Sequence, residues 1–395
     1  MSDLHLWLEL ICLGLPFNNI LSTAWGLIGI GYSAWLYWQG KIKLYPLEKL
    51  VHRLWIALAL WLLLSLLFAP DRLTALLGLL DFIPFMVFAI VVSHLAKGEE
   101  GQERIARNLV ISSIPISLFG LFQVIFNRPD LHLPRLFSSY IIPLGKSSDG
   151  RILSLFGHFN ELGIFLVMVL PLMVYFINHS SGKDRWIGLV ALPIGLICLY
   201  FSGSRNAWAV ATIGCLILSL YYRFWLGTVA ILSIVVTLVA AVWLPWAEGL
   251  RVLFPRSLVA RLASTFDPSR TDFFSTSSRW NAWQIAVDLI NQRPITGWGL
   301  RNFPIVAKMQ GKDLMGLPHE HNLYLSIATG SGLIGLGLFL ASVLLPLLPK
   351  REELPLRFMF RCSVGLYLLS CILDITLYEP RISLLFWLFL GVLTA

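Results

Sequence analysis

The residues best suited to chemistry in this chain are His319-Glu320-His321-Asn322, within a passage from Gly297 to Gly337 that reads GWGLRNFPIVAKMQGKDLMGLPHEHNLYLSIATGSGLIGLG. The residues that follow the histidines, LYLSIATGSGLIGLGLFL, are apolar and predict a helix for which Asn322 is a good N-cap. His321 then stands just before the helix start. The positive end of the helix dipole disfavours imidazolium there, so the ring stays neutral and able to accept a proton. The same four residues would equally suit a structural task, capping a span at a membrane surface. Zinc is a poorer fit, because HExxH is absent, the histidines are two apart and no third ligand stands nearby.

Two arginines call for an anion. Arg279 opens a predicted amphipathic helix, Arg279 to Gln292, capped by Ser277-Ser278 and stopped by Pro294. Trp280, Trp283, Val287 and Ile290 fall on one face of it, so the helix is expected to lie along a membrane interface, tryptophans down. Its first N–H groups and the guanidinium both suit phosphate, although an arginine snorkelling to lipid head groups would give the same pattern. Arg205 lies in Phe201-Ser202-Gly203-Ser204-Arg205-Asn206, a polar break between apolar spans. A charge there is costly unless it faces a cavity or a partner. It either meets the anion of Arg279 or decorates a surface turn.

Gly157-His158-Phe159-Asn160-Glu161 puts a histidine, an amide and a carboxylate near the end of another apolar run, where polar groups usually line a cavity. Glu161 either pairs with an arginine or takes part in chemistry. Asp374, Glu379 and Arg381 pose the same choice and read as structural. Gly330, Gly332, Gly335 and Gly337 resemble a phosphate loop only superficially, since no Lys-Ser/Thr follows and the run is apolar; close helix packing accounts for them.

The elements that must position these residues follow from composition. The chain is 57% hydrophobic and only 13% charged over 395 residues, with mean hydropathy +0.75. Soluble globular domains are about a quarter charged. Apolar runs of about 18 residues or more recur along it, enough to cross a hydrocarbon core of roughly 30 Å as helix. The net charge of +8 lies in loops between apolar runs rather than in one stripe, which points to membrane phosphates and away from nucleic acid. Cys12, Cys198, Cys215, Cys362 and Cys371 all fall inside apolar runs and read as packing residues. The run 4–15 lacks a basic segment before it and a cleavage site after it, so it reads as a first, short membrane segment rather than a signal peptide.

The spans fall at about 4–16, 20–38, 54–69 and 73–95, a fifth ending near Phe126, then 152–177, 186–201, 206–222, 224–244, 323–348, 356–373 and 382–393. Pro16-Phe17-Asn18-Asn19 turns the first pair. The expectation is an all-α integral membrane protein of about 12 transmembrane helices. One polytopic domain covers 1–395, with a large, partly helical loop at 245–322 between spans nine and ten. Lys41, Lys43, Lys49, Arg53, Lys97, Arg104, Arg107, Lys183, Arg185, Arg223, Lys350, Arg351 and Arg357 fall in alternate loops. Short loops on the other face hold little more than Arg72, Arg205 and Arg381. A cytoplasmic excess of Lys and Arg then puts both termini inside and the two long loops outside; the first of these carries Arg128, Arg135, Lys146 and Arg151.

The SGSR break, then SSRWNAWQIAVDLINQRPITGWGLRNF, then HEHNLYL leading into a Gly-rich span, resembles the O-antigen ligase and polymerase superfamily of bacterial envelope proteins. The resemblance is strongest over 152–348, and about twelve spans with a large outer loop after the ninth also fit. It implies a metal-independent glycosyltransferase of the bacterial inner membrane, with its active site facing the periplasm and no cofactor. The donor would be a glycan on undecaprenyl diphosphate. The acceptor would be a sugar hydroxyl of the lipid A core in a ligase, or another carrier-linked unit in a polymerase. The family's histidine maps to His321 and its diphosphate-handling arginines to Arg205 and Arg279; His319, Glu320, Asn322, Asn160 and Glu161 are expected to support them. A small-anion or glycolipid transporter is the rival reading. It would favour helices broken at mid-membrane and repeated halves, and no repeat is visible.

Overall fold

Lipid offers a spanning backbone no water to bond, so each crossing segment must satisfy its own N–H and C=O groups as helix. The computed structural model describes residues 2–14, 17, 19–40, 49–132, 142–147, 150–265, 271–349 and 353–395. It is an all-α integral membrane protein. In chain order the helices are α1 (Ser2–Gly14), α2 (Asn19–Trp38), α3 (Leu50–Ser65), α4 (Arg72–Leu79), α5 (Ile83–Leu95), α6 (Glu99–Phe126), α7 (Phe159–His179), α8 (Gly182–Ser202), α9 (Arg205–Tyr221), α10 (Trp225–Trp243), α11 (Arg256–Ala263), α12 (Thr271–Gln292), α13 (Phe303–Met309), α14 (Leu323–Leu344), α15 (Pro355–Ser370) and α16 (Pro380–Leu393). A short antiparallel pair, β1 (Arg128–His132) with β2 (Pro143–Leu144), follows α6. Pro16, Asn18, Lys41, Lys43, Arg135, Lys350 and Arg351 lie outside the described residues.

Among the described residues, seven helical segments are long and apolar enough to cross a membrane: Leu50–Phe68, Arg72–Leu95, Glu99–Phe126, Phe159–His179, Gly182–Ser202, Trp225–Trp243 and Leu323–Leu347. Arg205–Tyr221 and Pro380–Leu393 are apolar but shorter. α7 and α16 are buried along nearly their whole length and form the middle of the bundle. By contrast, α10 is apolar all round yet exposes Leu226, Val229, Leu232, Ile234 and Val236. An apolar helix left uncovered by protein is one that lipid covers.

Two predicted boundaries shift for local reasons. The sixth span starts at Phe159 rather than near residue 152, because His158 is in extended conformation and its ring accepts the N–H of Asn160 as an N-cap. The helix expected from Arg279 with a Ser277-Ser278 cap already begins at Thr271, which leaves Ser278 buried inside it. Its buried stripe is Ala282, Ile285, Ala286 and Leu289, packed on Phe303, Val306 and Ala307 of α13. Trp280 and Val287 are exposed while Ile290 is buried, so the four residues expected on one face are divided.

α14 is a broken helix. Gly332 has φ 72° and ψ −179°, a region open only to glycine. A Cβ there would lie 1.9 Å from the Ile295 carbonyl oxygen. The backbone groups freed by the break are not left bare: Trp298 and Gly299 donate N–H to the Thr329 and Gly330 carbonyls at 2.8 Å, and Leu333 donates to Pro294 at 2.7 Å. The Trp61 indole N–H reaches the Ser331 carbonyl at 2.8 Å. The GWG passage thus plugs the break, and Gly297, at φ 66°, has no room for a side chain against Gly330.

Candidate functional site

The helix ends that matter converge on one cavity of about 860 Å³. Its walls come from the starts of α7 and α9, the end of α10, the α11 segment, α12 and the His321 loop. Arg205, Arg279 and His321 all line it, together with His158, Asn160, Arg151, Arg261 and three tryptophans, Trp243, Trp280 and Trp283. Of the residues expected from sequence to share a site, Arg205, Arg279, His321 and Asn160 are brought together here, and His319, Glu320, Asn322 and Glu161 are not among the described lining residues. No aspartate or glutamate is among the described lining residues.

His321 sits at φ 49°, an uncommon conformation for a residue with a Cβ. Asn322 follows it as the N-cap of α14, its side chain accepting the Leu325 N–H at 3.0 Å. His321 Nδ1 faces Asp374 Oδ1 at 3.3 Å. A carboxylate only accepts, so Nδ1 carries the proton and Nε2 keeps its lone pair. Asp374 is buried and held from behind: Asn160 Nδ2 donates to its Oδ2 at 2.5 Å, and the Ile375 N–H donates to its Oδ1 at 2.9 Å. Asn160 is itself fixed by Ser204, whose hydroxyl donates to its Oδ1 at 2.8 Å. A chain of hydrogen bonds thus runs from the SGSR break through Asn160 and Asp374 to His321.

Burial opposes ionisation of Asp374, but the hydrogen bond from His321, the Arg279 guanidinium and the Ile375 N–H outweigh it, holding the carboxyl well below the usual carboxylate range. Asp374, read from sequence as structural beside Glu379 and Arg381, instead orients His321. Their separation of 53 positions in the chain hid the pairing. Glu379 and Arg381 are buried away from the cavity. Arg381 Nε donates to Glu379 at 2.5 Å, and its guanidinium lies over the Phe156 ring, 4.2 Å from the centroid.

His158 was named in the sequence without a role. Its Nδ1 accepts the Asn160 N–H at 3.2 Å, so the proton of the neutral ring is on Nε2. Burial pulls this imidazole down to about 4, aided by Arg151, His321 and Arg279 against the opposing pull of Asp374. It is a neutral hydrogen-bond donor at neutral pH. His319 does not line the cavity. Its Nδ1 accepts the His321 N–H at 3.2 Å, and burial, with His321 and Arg279, brings it also to about 4. Glu320 points inward, and burial raises its carboxyl to about 7. Its carbonyl accepts the Trp283 indole N–H at 2.9 Å, tying the histidine loop to α12. Glu161 closes a capping box at the start of α7, accepting the Gly157 and His158 N–H groups at 3.1 Å.

Arg205 donates to the Thr265 hydroxyl at 2.8 Å, and Arg279 projects from α12 into the same space. Residues 190–340 match the O-antigen ligase family model. The resemblance read from the sequence is borne out over that segment, which contains Arg205, Arg279 and His321. The match points to a membrane glycosyltransferase of the O-antigen ligase kind, acting on polysaccharide and lipid-linked substrates. No curated protein matches the chain. His158, Asn160 and Asp374 lie outside the matched segment, so their place in the site comes from the geometry alone.

Proposed function

We propose that the protein transfers a glycan from an undecaprenyl-diphosphate carrier to a sugar hydroxyl, with the cavity facing the periplasm. The observation that carries this reading is the meeting, in one cavity, of an Asp374-oriented His321 with Arg205 and Arg279. His321 Nε2 takes the proton of the acceptor hydroxyl as its oxygen attacks the anomeric carbon. Asp374 stabilises the imidazolium that forms. The anomeric C–O bond breaks with its electron pair leaving on the lipid diphosphate, whose charge Arg205 and Arg279 neutralise. His158 donates its Nε2–H to an oxygen of the leaving group. A single displacement of this kind inverts the anomeric centre, and no step calls on a metal ion.

In the test, purified protein receives a prenyl-diphosphate-linked glycan and candidate acceptors. His321→Ala is expected to lower transfer by about 10²–10⁴-fold while the protein still inserts and melts as wild type does. Full activity of that variant ends the base assignment. Product formed on lipid A core sugar identifies a ligase; growth of carrier-linked chains identifies a polymerase. The broken α14 is a feature that favours transport, yet its freed backbone groups are taken up by the GWG passage.

A further inference from the structure

Asp374 lies in a loop, residues 371–378, that leaves the end of α15 and leads into α16. Both ends of that loop are tied to the first turn of α14, the helix that follows His321. At the near end, the Leu323 N–H donates to the Cys371 carbonyl at 3.0 Å. At the far end, the Ser326 and Tyr378 hydroxyls share a hydrogen bond of 2.8 Å. Asp374 is thus held between two ties to one helical turn, and that turn is joined to His321 through its N-cap, Asn322.

The far tie is itself backed. The Arg301 guanidinium lies over the Tyr378 ring, 4.9 Å from its centroid, within reach of a cation–π contact. Arg301 in turn donates two bonds of 2.7 Å to Asp81, in the turn between α4 and α5, and this fork fixes the plane of the guanidinium. Ser326 is buried, so bulk water does not make good the loss of the Tyr378 hydroxyl. Placement matters here because the His321 Nδ1 to Asp374 Oδ1 distance, 3.3 Å, is at the long end for an N–H···O bond. A small further slip of the loop weakens the contact that selects the His321 tautomer.

We propose that Ser326 and Tyr378 are positioning residues for the transfer: their bond, backed by Arg301 and Asp81, sets the loop so that Asp374 holds His321 with its proton on Nδ1. This rests on the transferase reading above, in which His321 Nε2 takes the acceptor proton.

The test compares Tyr378→Phe, Ser326→Ala and Asp374→Asn in the full-length protein, singly and in pairs. It uses two readouts: glycan transfer from a prenyl-diphosphate-linked donor, and nitrogen-15 NMR of the histidine rings, the His321 signal being identified by its loss in His321→Ala. Tyr378→Phe and Ser326→Ala should each lower kcat by about 10–10²-fold and change KM by less than about threefold, the mark of a misplaced catalytic group. The pair Tyr378→Phe with Ser326→Ala should fall no further, since both remove one bond. On top of Asp374→Asn, Tyr378→Phe should cost less than about threefold, because it acts through that carboxylate. In the spectra, each of the two should move part of the neutral His321 population from the Nδ1–H to the Nε2–H form. Tyr324→Phe is the control: it removes a different tie between α14 and α15, from the Tyr324 hydroxyl to the Leu368 carbonyl at 2.6 Å, and should leave both readouts as in wild type. An active wild type whose kcat or His321 tautomer is unchanged by Tyr378→Phe overturns the proposal. So does a full further loss on top of Asp374→Asn, or an equal loss in Tyr324→Phe, either of which reads as general loosening of the bundle. If wild type transfers no glycan from this donor while Tyr378→Phe still shifts the His321 tautomer, the transferase reading fails and the positioning stands.

Discussion

Two imidazoles share the cavity with opposite tautomers. Nδ1 of His321 must donate to Asp374, and Nδ1 of His158 must accept from Asn160, so one ring presents a lone pair and the other a proton. Asp374→Asn keeps the shape but lets the amide favour the wrong His321 tautomer. It is expected to lower kcat by about 10²–10⁴-fold with little change in KM or melting temperature; an unchanged kcat would remove Asp374 from the site. The depressed histidines also set an acid limb to stability. Both His158 and His319 are held near 4 in the fold against an ordinary 6.5. Between those values the unfolded chain binds more protons than the native one, so stability falls as pH falls through that window. Asp374, also depressed, extends the loss to still lower pH. Melting temperature followed from pH 7 to pH 4.5 should drop, and less steeply in His158→Gln; a flat profile would show that neither ring is buried neutral.

At the scale of elements, the helices were legible because apolar length alone demands them, and Asn322 marked the start of α14 by its residue type. What sequence pattern could not supply was the meeting of residues far apart in the chain. Asn160 and Asp374 are 214 residues apart, and each alone reads as an ordinary polar residue near a span end. The glycines beyond His321 are a similar case. Spacing suggested one packing role for all four, but the structure divides them: Gly332 breaks the helix against Ile295, while Gly337 has nothing within 4 Å of where a Cβ would go. Gly332→Ala should cost roughly 2–4 kcal/mol, since it adds both strain and a backbone clash. Gly337→Ala should be neutral or stabilise by up to about 1 kcal/mol through helix propensity. Denaturant titration of the two variants in detergent checks the contrast, and equal effects would refute the assignment of the break to Gly332.

For the whole molecule, the cavity fixes which loops share a face. His158, the Ser202–Arg205 turn, Trp243, Asn322 and Asp374 stand at helix ends around it. Asp71 joins the GWG passage through reciprocal hydrogen bonds with Asn302 at 3.0 and 3.1 Å, and Asp81 holds Arg301 with two bonds of 2.7 Å. α7 and α9 run away from this face and α8 and α10 return to it, so Lys183 and Arg185 at the start of α8 and Arg223 between α9 and α10 lie opposite the cavity. Arg107 pairs with Asp184 at 2.9 Å on that opposite side. The proposed periplasmic cavity agrees with the rule that short loops rich in Lys and Arg stay in the cytoplasm. Cysteine labelling in intact cells tests this, because the native cysteines are buried or half-buried within the bundle. A membrane-impermeant maleimide should label Gln310→Cys, exposed beside α13, without permeabilisation, and Ser181→Cys, exposed between α7 and α8, only after it. The reverse pattern would put the cavity in the cytoplasm, where a periplasmic acceptor could not reach His321.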